Sequence, residues 1–231
     1  MPVPIVLLPG LLCNDRLWDD VTASLAGIVQ PMPMDLSAGA SIEAMADRVL
    51  AQSPDAFSLV GFSMGSQVAL EVCARAPHRV RRLALLSANA YGLTPVVQAH
   101  LSLARDQIAA TGLDDYLRTA FDGYFSPARR ADQRLRQRFT EMAHALGAAT
   151  AIRQMTALLS YEGFKPGLSS ISCPTTFICG ELDNRTPPSL HHAMSAAMPG
   201  SVVHVVPESS HFTMLEAPGV VADLLRTWLS N

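Results

Sequence analysis

No stretch of this 231-residue sequence reaches the roughly 18 to 20 consecutive apolar residues that a membrane-spanning helix needs. The opening "MPVPIVLLPG" has no basic leader and only about six apolar residues in a row, too few for a secretory signal. Cysteine is sparse. Cys13, Cys73, Cys173 and Cys179 stand apart, with no Cys-x-x-Cys pair and no Cys/His spacing of a metal site. Reduced, buried thiols in a cytoplasmic protein are the expectation. Charge is also scarce, at 16% of residues, and nearly balanced, with a net of −3. That excludes both the basic footprint of a nucleic-acid binder and an acidic tail. Lysine occurs once, as Lys165, and there is no internal repeat or low-complexity tract. What is present is 49% apolar residues on a chain of single-domain length, enough for a substantial core.

Short apolar runs alternate with helical spacing. "VPIVLL" (3–8), "FSLVGF" (57–62), "RLALLS" (82–87), "TTFICG" (175–180) and "SVVHVV" (201–206) read as buried strands. "IVQPMPM" (28–34) reads as a weaker strand, placed at an edge by its prolines. Helical patterns occupy 41–52, 65–76, 189–198 and 219–229. Continuous apolar strands alternating with helices imply an α/β fold, a parallel sheet with helices on both faces. Residues 91–164 break the rhythm, with helix-like stretches and no convincing strand. They predict a helical cap inserted into a core formed by 1–90 and 165–231. The run "RRADQRLRQR" (129–138) reads as a solvated helix face within it.

The chemistry begins at "LVGFSMGSQVAL" (59–70), where a strand gives way to a helix around Gly61-Phe62-Ser63-Met64-Gly65. A sharp strand–turn–helix lifts a serine hydroxyl clear of a sheet, and the flanking glycines leave room for neighbouring backbone. The helix N-terminus then favours negative charge developing at the same point. A serine nucleophile needs a base, and the base an orienting acid. His211 follows a strand in "VVPESSHFTMLEAP", a loop position where α/β sites assemble. The other histidines read otherwise: His204 lies within a strand, His78 at a helix end, and His191 and His192 on a helical run with one facing solvent. His100 and His144 belong to the insert. "FICGELDNRTPP" offers Glu181 and Asp183 past another strand end, with Asp183 the better placed acid.

The order Ser63, Asp183, His211 and the motifs around it resemble the α/β-hydrolase family over nearly the whole chain. "VLLPGLLCNDRLWDDV" (6–21) is similar to that family's first loop, "GFSMG" to its nucleophile elbow, "CGELDNRTPP" to its acid loop and "SSHFTMLEAP" to its histidine loop. Small capped bacterial esterases and lactonases are the nearest type. Two positions depart from the pattern: Pro9 replaces a histidine before Gly10, and Ser210 replaces a glycine before His211. The family's preceding hairpin is not expected here, which leaves about six mostly parallel strands. The resemblance also implies an oxyanion hole formed by the backbone N–H groups of Leu11 and Met64.

The function implied is a serine hydrolase cleaving a carboxylic ester of a small acyl or aromatic substrate, with catalytic Ser63, Asp183 and His211. No cofactor or metal is called for, and the partner is a small ester or lactone. Lactone or carbon–carbon bond hydrolysis and a lyase reaction are the alternatives on the same triad. A ligand-binding protein that keeps the shell is a further alternative. Serine at position 63 disfavours a haloalkane dehalogenase, whose nucleophile is a carboxylate. In the insert, Arg153 is a candidate for a substrate carboxylate, against a plain surface role.

Overall fold

Alternate residues of the central strands are buried on opposite faces of one sheet, as a period of two requires. The computed structural model describes residues 3–230. Met1, Pro2 and Asn231, at the outer ends of the expected core segments, lie outside the described residues. The strands are β1 (Val3–Leu8), β2 (Val29–Pro33), β3 (Phe57–Phe62), β4 (Val80–Leu86), β5 (Thr175–Gly180) and β6 (Val202–Val206). They pair in the spatial order β2-β1-β3-β4-β5-β6, every pair parallel. Ile5, Leu7, Val60, Phe62 and Leu86 pack into one apolar layer, and Val6, Leu8, Leu59, Leu83 and Leu85 into the other.

The helices of the first half are α1 (Asp19–Ser24), α2 (Ile42–Gln52) and α3 (Met64–Arg75). The Ser41 hydroxyl caps α2 by accepting the Ala44 N–H. Between β4 and β5 run α4 (Pro95–Thr111), α5 (Leu113–Tyr124), α6 (Gln133–Leu146) and α7 (Ala148–Ser160). After β5 come α8 (Pro188–Ala196), α9 (Thr213–Glu216) and α10 (Pro218–Ser230). No helix among the described residues is long and apolar enough to cross a membrane.

Both sheet edges are informative. β2 carries Pro31 and Pro33 and pairs only with β1, the position where a missing N–H costs nothing. The expectation of a buried strand at 201–206 needs correction. β6 is the opposite edge, with Val202 52% and Val205 38% exposed and only Val206 buried. A β-branched run favours extended backbone at an edge as well as in the centre, so composition alone does not separate the two.

Packing holds the insert. Phe125 stacks on Phe212 at 4.9 Å and 16°, and Phe139 meets the same ring edge-on at 5.6 Å. All three rings are buried, and each such pair adds about 0.5–1.5 kcal/mol beyond area burial. The basic run 129–138 is largely exposed, as expected, with some of its arginines engaged by neighbouring groups. Arg136 lies 4.1 Å over Phe121 and pairs with Asp122, while Arg138 pairs with Asp20 of α1. These rim pairs contribute at most about 1 kcal/mol each. The aromatic cluster therefore ties the end of α5 and the middle of α6 to the segment just before α9.

Candidate active site

In the order β2-β1-β3-β4, chain connections leave β1 in one direction and β3 in the other. That divergence opens a crevice at the strands' carboxyl ends. The Leu11 loop leaves β1 there, and Ser63 follows β3 directly beside it. Ser63 holds φ 50°, ψ −113°, a strained conformation for a residue with a side chain. The strain is imposed by close approach on both sides. A Cβ on Gly65 would stand 2.3 Å from the Leu8 carbonyl oxygen, and one on Gly61 2.4 Å from that of Gly65. Only glycine fits, and the turn is fixed.

His211 Nε2 lies 3.0 Å from Ser63 Oγ, and His211 Nδ1 lies 2.8 Å from Asp183 Oδ2. The side chains of His211 and Asp183 are 4% and 0% exposed. Asp183 accepts three further hydrogen bonds, from the N–H groups of Arg185 and Thr186 and from the Thr186 hydroxyl. Burial would raise its carboxyl, but the facing His211 and the Thr186 donors outweigh this and hold it well below the usual carboxylate range. Glu181 takes no part; it is exposed and accepts the Glu208 N–H.

The backbone of His211 is clamped from both layers. Its N–H donates to Tyr124 O at 3.1 Å, and its carbonyl accepts the Ser87 hydroxyl at 2.7 Å. Glu216 ties the same loop down: Oε1 accepts the Ser210 N–H and Oε2 the Ser126 N–H. The departure at Ser210 is accommodated, since its hydroxyl donates to Leu182 O. Neither Ser87 nor Glu216 carries a sequence signal of its own.

Leu11 and Met64 line the same cavity as Ser63. Among the described residues, neither backbone N–H has a protein acceptor. The next residue, Leu12, has φ 63°, and its N–H donates to Gln154 Oε1 at 3.1 Å. Gln154 is buried in α7, and its Nε2 donates to Leu36 O at 3.3 Å. A side chain from the insert thus holds the loop that carries Leu11.

The cavity measures about 280 Å³, and its walls combine the core with Leu101, Tyr124 and Leu158 of the insert. A second cavity of about 450 Å³, lined by Asn14, Asp35 and Thr150, contains none of the candidate residues. Most apolar residues of the insert pack into the core on one face of the sheet, Phe121, Phe139, Met142 and Met155 among them. Arg153 does not reach the main cavity: it is exposed and donates to Ser37 O and Thr150 Oγ1. Arg185 lines the cavity instead. Its position in "LDNRTPP", two residues past Asp183, was the available signal. His100 is exposed, and His144 pairs with Asp114 away from the cavity.

His191 is fully buried, while His192 is exposed. The His191 Nε2 accepts the Ala88 N–H at 2.8 Å, so Nδ1 carries the proton and donates to Pro187 O at 3.1 Å. Burial lowers its pKa, against the opposing pull of the Pro187 carbonyl and Asp183. With the folded value depressed, the unfolded chain takes up the proton first, near pH 6.5. Stability is therefore complete above about pH 6.5 and falls below it, by at most about 1.4 kcal/mol per pH unit. We expect the melting temperature to drop by up to about 3–5 °C per unit between pH 6.5 and 5. Differential scanning calorimetry of His191→Gln should show a shallower slope; an equal slope would remove the assignment.

Comparison with known proteins agrees with this architecture. A family model described as "Alpha/beta hydrolase family" matches residues 5–224. A pimeloyl-[acyl-carrier protein] methyl ester esterase of Aliivibrio fischeri is 22% identical over 98% of this chain and 93% of that protein. Among solved structures, the enol-lactonase of Burkholderia xenovorans superposes with a TM-score of 0.90 at 17% identity, covering 100% of this chain and 92% of that one. A thermophilic esterase of Thermogutta terrifontis gives a TM-score of 0.85 at 20% identity over 100% and 90%.

Proposed function

The chain belongs to the alpha/beta hydrolase family, and we propose that it hydrolyses a carboxylic ester of a small acyl or aromatic substrate through an acyl-enzyme on Ser63. The observation that carries this reading is one imidazole ring with Ser63 Oγ at 3.0 Å on Nε2 and Asp183 Oδ2 at 2.8 Å on Nδ1. The relatives named as esterases and a lactonase support the same class. Ser63 Oγ attacks the carbonyl carbon as His211 Nε2 takes its proton. Asp183 keeps the ring in the tautomer that can accept, and stabilises the imidazolium. The intermediate collapses, and His211 returns the proton to the departing alcohol. Water then repeats the sequence on the acyl-serine and releases the acid.

The N–H groups of Leu11 and Met64 receive the oxyanion. Their support is the shared cavity wall and the want of a protein acceptor for either. Each such donor is worth about 100- to 1000-fold in rate. Gln154 enters here as a positioning residue, through its bond to the Leu12 N–H. Gln154→Ala leaves that N–H buried without an acceptor, at a cost of about 1–3 kcal/mol. Because misplacement by an ångström is enough to lose about 100-fold, kcat should fall by about 10- to 100-fold with KM little changed. Gln154→Glu retains the acceptor but loses the donor to Leu36 O, and should recover only part of the rate. Steady-state kinetics beside a thermal melt would check this; loss of stability at unchanged kcat would reduce Gln154 to a structural role.

The test of the reaction itself is fluorophosphonate labelling read by intact mass and peptide mapping, with p-nitrophenyl esters from acetate to dodecanoate assayed in parallel. One label on Ser63 with turnover at some chain length is the expected result. A label without turnover of any ester would move the reading to lactone or carbon–carbon substrates. No label would overturn it.

A further inference from the structure

The cavity that holds Ser63 has an unbalanced charge. Among the described residues, its walls include one permanent cation, Arg185, and no aspartate or glutamate; the rest is polar-neutral or apolar apart from His211. Asp183 does not face the cavity: its side chain is fully buried behind the imidazole, and its bonds go to His211 and to its own loop.

The Arg185 guanidinium is exposed at the cavity rim and oriented by the protein, with donors left free. Its carbon lies 3.9 Å from the centroid of the Tyr124 ring, and its Nε donates to Gly123 O at 3.2 Å. Stacking and one hydrogen bond orient the plane. Its other four N–H donors have no hydrogen-bond partner in the protein, and no carboxylate comes within ion-pair distance, among the described residues. The ring it rests on lies 5.7 Å from the His211 ring, so cation and base share one phenol as neighbour. The Tyr124 hydroxyl lies 3.3 Å from that of Tyr116.

A fixed guanidinium with free donors beside a reacting centre is a receptor for a planar oxyanion. One cation with no second positive group in the wall matches a single negative charge, which favours a carboxylate over a phosphomonoester dianion. Resting on the esterase reading above, we propose that the substrate is an ester that also bears a carboxylate, bound by Arg185 across the Tyr124 ring while the scissile carbonyl lies at Ser63.

Two matched pairs of esters test this by pH-stat titration. Monomethyl adipate against methyl hexanoate places the acid on the acyl side; 6-acetoxyhexanoic acid against hexyl acetate places it on the alcohol side. In one pair the acidic ester should be preferred in kcat/KM by up to about fivefold, the factor that a rim-exposed charge contact supplies. Arg185→Gln should bring that ratio close to one, and Arg185→Lys should restore part of it. A purely structural role for Arg185 would lower both members of a pair together. Absence of preference in both pairs, or a preference that survives Arg185→Gln, overturns the proposal. Binding of the same four compounds to Ser63→Ala by calorimetry separates it from the hydrolysis reading. If the acidic esters bind and Arg185→Gln abolishes that binding, but nothing is hydrolysed by the wild type, the anion site stands and the reaction is another. If esters are hydrolysed without regard to charge, the reaction stands and the anion site falls.

Discussion

Ser63→Ala is expected to lower kcat by on the order of 10⁶-fold while leaving the fold intact. The hydroxyl is the one group in the cavity placed 3.0 Å from a nitrogen that can take its proton, so no neighbour can assume its role. In the proposed mechanism Ser63 and His211 act as one unit. Adding His211→Ala to Ser63→Ala should therefore cost almost nothing more, whereas two independent contributions would multiply. The backbone supplies a second readout. Ser63 is held at φ 50°, and strain of this kind is worth about 1–3 kcal/mol. Ser63→Gly should consequently melt above the wild type while being equally inactive. Loss of activity with a higher melting temperature cannot be attributed to unfolding. If Ser63→Ala retained as much as one hundredth of wild-type activity on the best p-nitrophenyl ester, the nucleophile would be elsewhere.

How much of this was legible in the sequence follows from what each interaction depends on. Apolar runs mark β3 and β5 because these strands are covered on both faces, so burial is written in every residue. The strand at β6 was legible but its exposure was not, because an edge is defined by what does not pair with it, and "SVVHVV" carries no mark of that. Gly61 and Gly65 announce close backbone approach by composition alone. The loop positions of Ser63, Asp183 and His211 could be read locally, since each follows a strand end. Their distances could not, because 148 residues separate Ser63 from His211. The supports are less legible still. Gln154 reaches Leu12 across 142 positions, and Ser87 reaches His211 across 124. Such contacts are set by how the helices of the insert pack, which no periodicity encodes. Arg153 illustrates the same limit: an arginine in an apolar stretch of α7 fitted either a ligand contact or a plain surface role, and its exposed side chain, bonded to Ser37 O and Thr150, takes the second. Arg185, beside the acid loop, is the cation that lines the cavity.

Asp183→Asn should reduce kcat by about 10⁴-fold with little change in the positions of the surrounding atoms. The reason is in the bonding of the two carboxylate oxygens. Oδ1 accepts from the Arg185 and Thr186 backbone N–H groups, which can only donate. In the asparagine variant the amide oxygen must take that place, which turns the NH₂ toward Thr186 Oγ1 and His211 Nδ1. A donor facing Nδ1 forces the imidazole proton onto Nε2, the atom that has to accept from Ser63. The variant is blocked by the wrong tautomer, although its shape is preserved. Acidification checks the electrostatic part. The Asp183 carboxyl is held below its ordinary value, so the folded protein retains the charge where the unfolded chain has taken up a proton. Its stabilising contribution is fully present above about pH 4 and is lost as pH falls through the depressed folded value. The melting-temperature advantage of wild type over Asp183→Asn should therefore narrow as pH falls from about 5 toward 3. A constant gap would mean that Asp183 acts by shape alone. A loss of kcat of only about tenfold would mean that the imidazole keeps its tautomer without the carboxylate, and that Asp183 orients the base and supplies no charge to the reaction.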